Sequence, residues 1–156
     1  MALQKLLYFA HGTYLLRTKA PLVTGYFEAW VHGPVHPGAY QAFRAAGDKP
    51  ISLRAARENI LTGEKIPLPR PDDVTVIALV RSLIHTYGDL SAARLRQLSH
   101  APGGPWDIVV KQGRASASFG LRISDEVILR AFQKHKIAVE ALTFIEDDPG
   151  DDAPFT

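Results

Sequence analysis

Three prolines, Pro67, Pro69 and Pro71, alternate with Leu68 and Arg70 near the middle of the chain. Proline lacks an amide donor and fixes its own φ, so neither a helix nor a central strand can run through such a stretch. The chain must organise as elements before this extended connector and elements after it. Each half is small for an independent core, since domains usually hold about 100–200 residues. The 156 residues therefore predict one compact domain. With 46% hydrophobic and 22% charged residues, the chain can bury a real core.

Before the connector, residues 2–17 read as an amphipathic helix. Leu3, Leu6, Leu7, Ala10 and Tyr14 recur on one face at helical spacing. Gly12 lies inside it, at a cost of about 1 kcal/mol relative to alanine, and reads either as room for close packing of another element or as merely tolerated. Pro21 ends the segment. Tyr26–Val31 reads as a short aromatic strand, and Gly33-Pro34-Val35-His36-Pro37-Gly38 as a turn. Proline suits a first helical position, so a short helix is expected from Pro37 to Ala46, closed by Gly47. Ile51-Ser52-Leu53 is expected as a second small strand beside the first, with residues 54–66 a polar stretch.

After the connector, Asp72 or Asp73 can cap a helix that runs to Tyr87. Its inward stripe is Val76, Leu79, Val80, Leu83, Ile84 and Tyr87. Gly88 closes it, and Ser91 caps a helix through Ser99 with Leu95 and Leu98 inward. Helix, turn and helix is the outline of a DNA-binding helix-turn-helix and of any αα-hairpin. Pro105 opens a short helix through Val110, and residues 113–122 read as loop. Ser124 caps a last main helix with Val127, Ile128, Ala131 and Phe132 inward. Residues 137–145 fit helix or strand equally. The expected fold is mainly α with a small β hairpin, spanning 1–145, followed by a flexible acidic tail over 146–156.

Charge is uneven along this plan. The tail Glu146–Asp152 holds five of the 16 acidic residues, so the first 145 residues carry all 18 bases against 11 acids. That surplus suits an acidic protein partner or nucleic acid, and equally a solubilising surface. No cysteine is present, which removes disulfides, thiolate metal sites and a cysteine nucleophile. No run approaches the roughly 18 apolar residues of a membrane span, and the opening residues lack a signal-peptide core. A cytoplasmic location without membrane association is expected.

Chemistry-bearing patterns are sparse. His32 and His36 are four apart, but Gly33, Pro34 and Pro37 exclude the helix that would align them. His11, His85 and His135 read as partly exposed or capping side chains. No nucleophile elbow, P-loop or dinucleotide fingerprint is found. Neither an enzyme, a metal nor a cofactor is expected. Arg94 and Arg96, with Gln97, could face a major groove; a solvated helix face is the plainer reading. Trp30, Tyr40, Phe43 and Trp106 sit beside turn residues. Each reads first as core, and second as an anchor for a partner.

Three ordered blocks then carry a resemblance. Leu3-Gln4-Lys5-Leu6-Leu7-Tyr8-Phe9-Ala10-His11-Gly12 is the first. Glu28-Ala29-Trp30-Val31-His32-Gly33-Pro34-Val35-His36-Pro37, followed by Tyr40 and Phe43, is the second. Tyr87-Gly88-Asp89-Leu90-Ser91, Leu95, Leu98, His100 and Pro105-Trp106 form the third. Together they resemble the Panacea domain, also called the SocA-like or phage-associated GepA-like domain, over roughly residues 3–132. Thr13 stands where an aromatic is common in that family, and Ser99 where threonine is frequent. Relatives usually carry sequence upstream of the first block. Without it, the apolar face of residues 3–14 is expected to be more open to a partner.

The resemblance implies a mainly helical antitoxin of a two-gene toxin–antitoxin system, of the kind found on phages and mobile elements. Such a domain neutralises a cognate toxin by direct contact, and one branch is associated with delivery of toxin to a AAA+ protease. It brings no catalytic residue. Tyr8, Trp30, Gly33, Pro34, Tyr40, Phe43, His100 and Trp106 are the motif residues and candidate partner contacts. The alternative function is a DNA-binding regulator of its own operon or of a mobile element, acting through Arg94 and Arg96.

Overall fold

The computed structural model describes residues 2–47, 49–116 and 121–134. The chain runs α1 (Ala2–Thr18), β1 (Phe27–Trp30), β2 (Gly33–Val35), α2 (Pro37–Phe43) and a 3-10 turn (Arg44–Ala46). It continues β3 (Ala56–Glu58), β4 (Lys65–Pro67), α3 (Val74–Tyr87), α4 (Ala92–Ser99), α5 (Pro105–Ser116), β5 (Arg122–Ile123) and α6 (Asp125–Lys134). The fold is mainly α with small antiparallel strand pairs, as expected. Residues 137–145, His135 and the acidic tail lie outside the described residues.

α1 is the axle of the molecule. α3, α4, α6 and β2 all pack against it. The expected single apolar stripe is corrected accordingly. Gln4, Lys5, Tyr8, Phe9, Ala10, His11, Gly12, Thr13 and Leu15 are buried, while Leu3, Leu6, Leu7 and Tyr14 are only partly so. A helix enclosed on several sides has no one-sided pattern to read, and the face of Leu3, Leu6, Leu7 and Tyr14, expected to be open to a partner, is the less buried one. At its centre Tyr8 meets Phe27 and Phe132 edge-on, with ring centroids 5.5 and 5.7 Å apart. Phe9 stacks on Tyr87 of α3 at 5.1 Å.

The strand assignments change most. β1 pairs with β2 on one side and β5 on the other, both antiparallel. Gly33–Val35, expected as a turn, is thus a strand. Gly33 stands opposite Trp30 at φ +100°, a conformation glycine adopts without strain. Ile51–Leu53 is not a strand and does not pair with β1. The polar stretch instead contains a second hairpin, β3–β4. The expected loop over 113–122 holds the last turn of α5, which runs past Val110, and the first residue of β5.

Local signals hold elsewhere. Asp73 caps α3 by accepting from the amides of Thr75 and Val76, and Ser91 caps α4 by accepting from that of Arg94. The Ser124 hydroxyl accepts from Val127 at the start of α6. On α3 only Leu79, Leu83 and Tyr87 are buried; Val80 and Ile84 are exposed, so the stripe is narrower than expected. His11 is another correction. It is buried, its Nε2–H donates to the Asp125 carboxylate at 3.0 Å, and its Nδ1 accepts from the Val23 amide at 3.4 Å. That pair ties α1 to α6. His85 is exposed, as expected.

Candidate functional site

The motif residues converge on one end of the small sheet. β1 delivers Trp30, whose indole N–H donates to the Glu28 carboxylate at 2.7 Å. Its ring lies 4.9 Å from that of Tyr40 on α2. α2 is held there by His36. The imidazole accepts from the Ala39 amide at the helix start, while its other nitrogen donates to the Thr24 carbonyl at 2.8 Å. Pro105 opens α5 and places Trp106 in its first turn. The Trp106 indole donates to the Trp30 carbonyl at 2.8 Å, and its ring stacks on His100 at 3.8 Å and 4°. Tyr40, Trp30, Trp106 and His100 thus form a linked aromatic strip drawn from four elements. Trp30 and Tyr40 are 39% and 38% exposed, with their orientation fixed from below.

The floor under the strip is polar and cationic. Gln4 and Lys5 of α1 hold β2 by its backbone. The Gln4 side chain accepts from the His36 amide at 2.8 Å, and the buried Lys5 ammonium donates to the Pro34 carbonyl at 2.9 Å. Gly33 lies directly over Lys5 and the Ser99 hydroxyl, where a Cβ would come within 2.8 Å of both. Burial, and then the nearby Arg96 charge, hold the Lys5 ammonium down to about 8. His100 is pushed below its ordinary range by burial and by the charges of Arg96, Lys5 and His32. A neutral imidazole suits its stack on Trp106. Its buried Nε2 has no hydrogen-bond partner among the described residues.

Not every expected contact residue faces outward. Tyr8, Gly33 and Pro34 are buried. Phe43 is partly buried one turn beyond Tyr40. Trp30, Tyr40, His100 and Trp106 come together. Arg94 and Arg96 are both exposed on α4, but they differ: Arg94 donates to Gln97 at 2.6 Å, and Arg96 adds its charge to Lys5 and His100. The sequence reading overlooked Gln4, Lys5, His32 and Ser99. Two polar residues between the leucines of the first block were the signal for Gln4 and Lys5. Among the described residues no cluster of histidine and carboxylate could hold a metal, and no helix is long and apolar enough to cross a membrane.

The family model for the antitoxin SocA-like Panacea domain matches residues 3–107. The chain belongs to the SocA-like Panacea family. It is also similar to Antitoxin SocA of Caulobacter vibrioides (strain NA1000 / CB15N), with 45% identity over 139 residues, 89% of this chain and 74% of that protein. No solved structure matches. The Panacea match ends one residue after Trp106, so it contains the whole aromatic strip. α6, which completes the packing of α1, lies beyond it.

Proposed function

We propose that this Panacea chain neutralises a toxin protein by direct contact, and that the Tyr40–Trp30–Trp106–His100 strip is the centre of the contact. Family membership supports the antitoxin role. The observation that favours this face is the Trp30–Tyr40 ring pair, exposed on the surface with the Trp30 indole held by Glu28, together with the exposed Arg96, whose charge acts on His100 of the same strip. Tryptophan, tyrosine and arginine are the side chains that most often dominate binding energy at protein interfaces. Rigid aromatics lose little conformational freedom on binding, and Arg96 supplies a positive charge for steering an acidic partner.

The test is co-expression with the product of the adjacent reading frame, followed by affinity measurement on the purified pair. Growth arrest by that product, relieved by this chain with formation of a complex, is the expected result. Trp30→Ala and Arg96→Glu should each weaken the complex at least ten-fold. The fold should survive the first change, because the Trp106 bond uses the Trp30 backbone carbonyl. Toxin levels that stay constant during rescue indicate neutralisation by contact; levels that fall indicate delivery to a AAA+ protease. Full affinity in both variants would remove this face from the interface. Salt-sensitive DNA retention that Arg94→Ala and Arg96→Ala abolish, with no toxin complex, would support the DNA-binding regulator instead.

A further inference from the structure

The β3–β4 hairpin has no place in the core and carries none of the motif residues. Among the described residues its strands pair only with each other, and every residue from 60 to 75 is exposed. At its tip Ile60 and Leu61 are 99% and 94% exposed, far beyond Trp30 or Tyr40. The tip is nevertheless well ordered by hydrogen bonds. The Asn59 amide donates to the Glu64 carbonyl at 2.8 Å, and Gly63 donates back to the Asn59 carbonyl at 2.7 Å. The Asn59 side chain accepts from the Leu61 amide at 3.0 Å, and Gly63 takes φ +70°. Two large aliphatic side chains are thereby held outward, where nothing among the described residues covers them.

Charge selects the occupant. Glu58 stands opposite Lys65 in the ladder, so those charges face each other. Arg57 stands opposite Ile66 and makes no ion pair among the described residues. Residues 49–70 carry Lys49, Arg54, Arg57, Lys65 and Arg70 against Glu58 and Glu64, so the apolar tip rises from a base with a surplus of cations. A second copy of so basic an arm would be repelled, whereas an acidic rim would attract it.

We propose that the β3–β4 hairpin is an inserting arm, with Ile60 and Leu61 entering an apolar groove on the toxin and Arg57 meeting an acidic rim. This rests on the antitoxin reading above and adds a second contact, distinct from the aromatic strip. Preorganisation of the tip favours it, since little freedom is lost when a rigid hairpin docks. The outer edges of both strands are also free to take an added strand from the partner.

The test uses the full chain and the purified product of the adjacent reading frame. Ile60→Ser with Leu61→Ser should weaken the complex at least ten-fold without moving the thermal midpoint, because neither side chain is buried. Arg57→Glu should slow association and reduce its salt dependence. A photo-crosslinking residue at position 61 should capture the toxin. Unchanged affinity with no crosslink overturns the arm and leaves the antitoxin reading standing. Failure of the unaltered chain to bind that product overturns both. Two other outcomes overturn the arm: a dimer of this chain that dissociates on the double substitution, or co-sedimentation with phosphatidylglycerol vesicles that the substitution abolishes while toxin affinity is kept.

Discussion

Replacing Gly12 by valine should lower stability by about 3 kcal/mol, the upper part of the range for forcing extra volume into a packed core. Gly12 sits mid-helix in α1, where alanine would ordinarily gain about 1 kcal/mol. Here a Cβ would come within 2.3 Å of the Phe132 ring. That ring is 7% exposed and meets Tyr8 edge-on, so yielding to the new group breaks core contacts. Even Gly12→Ala should therefore destabilise, against its intrinsic preference. Phe132→Leu alone should also cost stability, yet in combination with Gly12→Ala it should recover part of the loss. Urea unfolding of the two single variants and the double variant measures this coupling, expected to be about 1 kcal/mol or more. Strict additivity, or a stabilising Gly12→Ala, would show that the two helices do not meet as described.

Stability should also rise with pH, through Lys5. Its ammonium is held down to about 8 in the folded chain, against 10.5 for an ordinary lysine. A group whose folded pKa is depressed contributes stability that is complete above its unfolded value and is lost as pH falls through the folded one. The window therefore runs from about 8 to 10.5. Between pH 7 and 9.5 the gain should be about 2 kcal/mol, following from those two values. Arg96 keeps its charge throughout this window. Burial raises the Tyr8 hydroxyl well above its ordinary range, so ionisation of tyrosine in the unfolded chain would reverse the trend only above about pH 10. Lys5→Met removes the titrating group. Denaturant midpoints for the two proteins should converge or cross as pH rises, and parallel curves would contradict a buried, uncompensated ammonium.

Helix ends were legible because their signals are local. Asp73, Ser91 and Ser124 cap through their own nearest amides, and no distant element can change that arithmetic. Strands were less legible, since a strand exists only by virtue of its partner. Gly33-Pro34-Val35 contains two turn-forming residues, and it is a strand because Glu28–Trp30 lies alongside. Ile51-Ser52-Leu53 has better strand chemistry and no partner. For α1 the failure has another origin: a helix packed on several sides presents no stripe, so leucines drew attention while Gln4, Lys5 and His11 did the internal bonding. The site was half legible. Its aromatics stood out by type and by motif, but their mutual contacts, and the lysine beneath them, depend on elements far apart in the chain.

The bond between His11 and Asp125 spans 114 residues. Ribosomes add about 5–20 residues per second. The first helix synthesised therefore waits on the order of ten seconds for the one that completes its packing, and long-range closure of this kind is intrinsically slow. Phe9 lacks its stacking partner until Tyr87 is made, and Tyr8 lacks Phe132 until α6 is made. A molecule built this way matures late, and its first helix is the part that stays incompletely packed longest.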